Sequence, residues 1–155
     1  MEKETIRKIF DFIEKNDNKR KPLSFKIKNN EYIDKNDLIV KGDLFLKGVE
    51  ITSLPEGLEV GGNLDLSSSK ITSLLEGLEV GGNLDLSSSK ITSLPEGLEV
   101  GGTLWLLRCE NLTSLPKGLR VGLHLDLWNS PLKKYTDDEI REMIKPGFIN
   151  GKIFR

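Results

Sequence analysis

Residues 51–70 read ITSLPEGLEVGGNLDLSSSK, residues 71–90 repeat that string with Leu75 in place of Pro55 as the single change, and a third copy begins at Ile91. A unit this short cannot bury an apolar face of its own. Copies must stack so that each coil covers the last, and the period therefore predicts a solenoid. Stacked coils present a long, regular surface, a form suited to holding other molecules.

The second half of the unit locates the remaining coils. An LxL pair occurs at Leu44/Leu46, Leu64/Leu66, Leu84/Leu86, Leu104/Leu106 and Leu125/Leu127, predicting about five coils with one extra residue after Cys109. Two-residue alternation such as Leu64-Asp65-Leu66 predicts a strand with one buried face, and no part of the repeat has helical periodicity. Gly61/Gly62, Gly81/Gly82 and Gly101/Gly102 punctuate the coils, although Lys41 and Leu123 stand at equivalent positions in the first and last. Pro55, Pro95 and Pro116 open the returning segment, where proline fixes φ. Leu75 takes that place in one coil.

The run Leu64-x-Leu66-x-x-Ser69-x-Ile71-x-x-Leu74 resembles the leucine-rich repeat pattern, and Leu94-Pro95 and Leu115-Pro116 resemble its bacterial LPX subtype with a 20-residue unit. The resemblance covers residues 38–135. It implies a parallel β sheet on a concave face, and it implies a binding role, since family members that act as ubiquitin ligases carry a separate catalytic domain. This chain departs from the family at the asparagine position, where Val49, Ser69, Ser89, Cys109 and Ser130 stand. Cys109 with its extra residue is similar to the longer CxxL variant, which implies a buried structural thiol.

Solenoid ends need caps. Ile6, Ile9, Phe10 and Ile13 predict an amphipathic helix over residues 3–16, and the alternation of Leu23, Phe25 and Ile27 predicts a strand or hairpin leading into the first coil. Thr136-Asp137-Asp138-Glu139 reads as a capping box that opens a C-terminal helix with Ile140, Met143 and Ile144 inward. The tail FINGKIF, with Asn150-Gly151 between apolar pairs, predicts a short hairpin. The expected organisation is one folded domain: a cap over 1–37, the solenoid over 38–135 and a cap over 136–155. End caps place it in the α/β class.

Charge and composition narrow function further. Residues 37–110 carry 5 Lys and Arg against 12 Asp and Glu, while both flanks are basic. An acidic centre does not suit a nucleic-acid groove, so nucleic acid is not expected as a partner. The opening MEKETIRKIF has no apolar signal region, no segment reaches about 18 consecutive apolar residues, and the single cysteine forms no internal disulfide. These features predict a soluble, monomeric protein with no membrane association, in the cytoplasm of a bacterium or of an infected host cell. His124 is the only histidine, and no phosphate-binding glycine motif occurs. No enzyme activity, metal or cofactor is expected.

Strand alternation places three outward columns on the concave sheet. The first is Asp43, Asn63, Asn83, Thr103 and His124; the second is Phe45, Asp65, Asp85, Trp105 and Asp126; the third is Lys47, Ser67, Ser87, Leu107 and Trp128. Duplication accounts for what recurs, so residues that break the template carry the functional signal. Trp105, Leu107, His124, Asp126 and Trp128 are read as an aromatic anchor, unless the C-terminal cap covers them, and Phe45 is a candidate for burial under the N-terminal cap. Asp65 and Asp85, with the asparagines beside them, are read as an acidic strip for a basic segment of a partner protein. A second reading is a phage or mobile-element inhibitor that blocks a host defence or nucleic-acid enzyme by covering its surface or by acidic mimicry.

Overall fold

A computed structural model describes residues 21–155; the helix expected over 3–16 lies outside them. The chain is a parallel β-solenoid. Each coil contributes two short strands: β1 (Ile39–Val40), β3 (Glu59–Val60), β5 (Glu79–Val80), β7 (Glu99–Val100) and β9 (Arg120–Val121) form one ladder, and β2 (Leu44–Phe45), β4 (Leu64–Asp65), β6 (Leu84–Asp85), β8 (Leu104–Trp105) and β10 (Leu125–Asp126) form the other. All pairings are parallel and in register by repeat position, as in Leu64↔Leu84↔Leu104↔Leu125. The Glu–Val ladder is a second sheet that the glycine-punctuated reading does not separate from the turns.

The core follows from the repeat. Leu58, Val60, Leu64, Leu66, Ile71 and Leu74 of one coil are buried and stack on their equivalents in the next. Coils two to five each turn twice through left-handed backbone, at Gly57, Gly77, Gly97 and Gly118 on one side and at Ser68, Ser88, Arg108 and Asn129 on the other, and the first coil does so at Gly48. At the equivalent positions Ser69 and Cys109, Cys109 donates its thiol to the Leu86 carbonyl at 3.1 Å and Ser69 Oγ accepts the Ile71 amide at 3.4 Å. The buried Ser130 hydroxyl has no partner among the described residues.

Two end elements differ from expectation. Leu23–Lys28 is a helix, α1, and not a strand. The amides of Phe25 and Lys26 both donate to the Pro22 carbonyl, closing a helical turn, and the residues buried are Leu23 and Lys26 while Phe25 is exposed. A lysine in the core reverses the apparent alternation. Its Nζ donates to Asp37 Oδ2 at 2.6 Å, and the same oxygen accepts the Asp34 amide at 2.9 Å, giving the buried charge the partner it needs.

The tail is the second correction, because it forms no hairpin. Strands β11 (Phe148–Ile149) and β12 (Ile153–Phe154) do not pair with each other; β11 joins β9 and β12 joins β10, both parallel. FINGKIF is a degenerate half-coil in the register of Arg120–Asp126, with Asn150-Gly151 where other coils carry Gly-Gly. Ile149 and Ile153 both face the core, which a two-residue hairpin would not allow for the pair as placed. Before it, helix α2 (Asp137–Met143) starts at the expected capping box: Thr136 Oγ1 accepts the Glu139 amide and Glu139 Oε2 accepts the Thr136 amide. Ile140 and Ile144 are buried and Met143 is half-buried. No helix among the described residues is long and apolar enough to cross a membrane.

Candidate interaction face

The outer face of the Leu–Asp sheet carries the three predicted columns. The middle one is set by strand register as Phe45↔Asp65↔Asp85↔Trp105↔Asp126, and the half-coil adds Phe154 at its end. Carboxylates thus share one line with aromatic rings, Asp65 and Asp85 standing next to each other between Phe45 and Trp105, and Asp126 between Trp105 and Phe154. Phe45 is 57% exposed and is not buried under the described part of the N-terminal cap, and Phe154 is 45% exposed. Phe154 is absent from the sequence reading because the tail there is a hairpin; aligning FINGKIF on RVGLHLD would have found it.

The first column does structural work. Asp43 Oδ1 accepts the Asn63 amide at 2.7 Å, Asn63 Oδ1 accepts the Asn83 amide at 2.8 Å, and Asn83 Oδ1 accepts the Thr103 amide at 2.7 Å. His124 Nδ1 accepts the Lys152 amide at 2.9 Å, fixing the half-coil to the stack, and its ring meets Phe154 edge-on with centroids 5.5 Å apart. Each such side chain lies where the next coil's second glycine would carry its β-carbon, which explains that glycine. Thr103 is too short to bridge, and there the next coil carries Leu123, 52% exposed. The asparagine oxygens are therefore engaged along the stack, and the expected acidic strip reduces to its aspartates.

Those aspartates are oriented by their own turns. Asp65 Oδ1 accepts the Ser67 amide at 2.9 Å and the Ser67 hydroxyl at 2.6 Å, Asp85 Oδ1 accepts the Ser87 amide at 2.8 Å, and Asp126 Oδ1 accepts the Trp128 amide at 3.0 Å. None of the three forms an ion pair among the described residues, whereas Glu50, Glu99 and Asp137 do so with Lys70, Arg120 and Arg155. Phe45, Asp65, Asp85 and Trp105 line a cleft of about 200 Å³, with Asn63 and Asn83 at its side.

The aromatic anchor is not one cluster. Trp105 is half-buried at the cleft wall, whereas Trp128 is 50% exposed one column away and lies under the Arg108 guanidinium, 5.4 Å from its ring. Leu107 is half-buried, and His124 and Asp126 do not line the cleft. The tryptophans are not both covered by the C-terminal segment. Cys109 is buried, and burial pushes its thiol up to about 11, so it is protonated at neutral pH and unsuited to nucleophilic attack.

On the opposite ladder, Glu59, Glu79 and Glu99 stack in register and line a groove of about 530 Å³ together with Gly61 and Gly81. Arg120 pairs with Glu99 at its end. Comparison of the chain with protein-family models, curated proteins and solved structures finds no match.

Proposed function

We propose that this protein is a non-enzymatic interaction module, monomeric and cytoplasmic, that binds a partner protein through the outer face of the Leu–Asp sheet. The observation that carries this reading is the line Phe45–Asp65–Asp85–Trp105–Asp126–Phe154, in which the exposed rings of Phe45 and Phe154 and the half-buried ring of Trp105 flank carboxylates that have no ion-pair partner among the described residues. Large exposed rings on a rigid sheet favour association, and tryptophan is a preferred anchor of interfaces. We also assign the chain to the leucine-rich repeats; the 20-residue coil and the Cys109 thiol bonded to Leu86 under the turn support that assignment. The test is affinity capture from lysate with the wild-type protein and the Trp105→Ala/Trp128→Ala variant side by side. Proteins held by the wild type and lost from a folded variant support the reading, and identical capture by both rejects it.

The row Glu59, Glu79, Glu99 favours a second reading, an inhibitor of phage or mobile-element origin that presents carboxylates to a nucleic-acid enzyme or other host defence protein. Binding of that kind weakens steeply as salt rises. It would be lost on Glu59→Gln/Glu79→Gln and kept without the tryptophans.

A further inference from the structure

We propose that the cleft between Phe45 and Trp105 receives an arginine side chain from an extended segment of the partner, and that a second arginine four residues along that segment reaches Asp126. The proposal rests on the reading of this face as a protein-binding surface and gives that surface a ligand chemistry.

Shape and charge agree on a single cationic side chain. The cleft, at about 200 Å³, is smaller than the roughly 300 Å³ at which drug-sized ligand sites begin. An aromatic residue stands at either end of it, and between them it is lined by Leu64, by Asn63 and Asn83 and by two carboxylates in register on adjacent strands, the strands about 4.8 Å apart. Each carboxylate uses Oδ1 to accept the amide two residues on, which fixes its direction and leaves Oδ2 without a hydrogen bond among the described residues. Stacked like charges repel, so this arrangement disfavours the free protein and favours a bound cation. A guanidinium suits it better than an ammonium: its plane stacks on an aromatic face and its five donors serve two carboxylates at once.

The column also sets a spacing. Taking about 4.8 Å per coil, Trp105 lies about 7 Å from the midpoint of Asp65 and Asp85, and Asp126 lies about 12 Å from it. An extended chain running along the stack turns alternate side chains to the same face and advances about 6.7 Å per two residues and about 13 Å per four. Residue i then meets the cleft, residue i+2 crosses Trp105 and residue i+4 meets Asp126. Phe154 stands beyond Asp126 as Phe45 stands before Asp65, so both acidic positions have a ring on either side.

The test titrates the full isotope-labelled chain with the blocked peptide Thr-Arg-Thr-Leu-Thr-Arg-Thr, with nuclear magnetic resonance as the readout. Saturable shifts are expected at the Trp105 indole and at the Ser67 and Ser87 amides. The Asp65→Asn/Asp85→Asn variant keeps an acceptor for both turn amides, so it retains the fold while losing the charge; its affinity is expected to fall by about tenfold or more. The same peptide with citrulline for arginine is expected to lose binding equally, and a peptide with its arginines three residues apart to bind more weakly. Absence of shifts at millimolar peptide, or equal binding by the citrulline peptide or the asparagine variant, overturns the proposal, and a lysine peptide binding as tightly overturns the guanidinium assignment. If a captured partner is lost from the tryptophan variant but held by the asparagine variant, the arginine proposal fails while the interaction reading stands.

Discussion

A β-carbon on Gly102 would stand 2.2 Å from Asn83 Oδ1, the atom that accepts the Thr103 amide across the coil boundary. Glycine and asparagine are therefore one device split between successive coils. Gly102→Ala should destabilise the protein by about 1–3 kcal/mol, since the clash is with a bonded oxygen that cannot simply swing away. Asn83→Ala should cost about 1–3 kcal/mol by leaving a buried amide unpaired. In the Asn83→Ala background the glycine substitution should cost less than it does alone, a coupling that a double-mutant cycle in urea would measure. Additive losses would show that the two positions act independently.

The left-handed turn residues offer the opposite change. Ser68 and Ser88 have φ of 56° and 58°, at the position where Gly48 stands in the first coil. Glycine there removes the steric penalty that an L side chain meets in this region. Ser88→Gly should raise stability by about 0.5–1 kcal/mol, read as a later urea midpoint with an unchanged slope.

Asp65 and Asp85 should contribute nothing to stability through their charge. Asn at both positions keeps the turn bonds and removes the repulsion, so the double variant should be as stable as the wild type or more stable by up to about 1 kcal/mol at low salt. Thermal melts at two ionic strengths would check this, the difference shrinking as salt rises.

Glu139 brings a pH dependence. Hydrogen bonds from the Thr136 backbone and then its hydroxyl hold the carboxyl below the usual glutamate range. The folded value is the lower one, so the capping contribution is complete above the unfolded glutamate range and is lost as pH falls through the folded value. Glu139→Gln should flatten that part of the acid-side stability profile, measured as melting temperature from neutral to acid pH.

Cys109 should be silent until the fold opens. With its thiol pushed up to about 11 from an ordinary 9.0, the folded protein should react negligibly with a maleimide near pH 8, and denaturant should release one equivalent of reactive thiol. Because the folded value is raised, its stabilising effect is complete below the unfolded value and is lost as pH rises towards the folded one. Rapid labelling of the native protein would contradict the buried placement.

How much of this was legible depended on whether a residue has one structural meaning. LxL pairs at a fixed period do: the leucines can face only the core, and Leu64, Leu84, Leu104 and Leu125 stack in the predicted register. Asn-Gly has two, and in the tail the choice between hairpin and half-coil is settled by which neighbouring strands still have free edges, β9 and β10. Lys26 misleads for another reason, because a lysine counts as solvent-facing until Asp37 is found beside it. At the candidate site the middle column from Phe45 to Asp126 was readable by alternation alone, whereas Phe154 was hidden by the hairpin reading of the tail. The engagement of Asn63 and Asn83 was not, since it depends on the distance between coils and on the missing β-carbons of Gly82 and Gly102.

The joint between coils has a consequence for how such a chain can vary. Each 20-residue unit brings both halves of its connection, a glycine that leaves room for the asparagine before it and an asparagine that fills the room in the coil after, as Gly82 and Asn83 do. Inserting or deleting a whole unit in this region leaves every junction chemically unchanged, whereas Thr103 facing Leu123 closes the series to that exchange. The number of coils between Phe45 and Trp105 is thereby the quantity that duplication can reset, and with it the distance between the two rings.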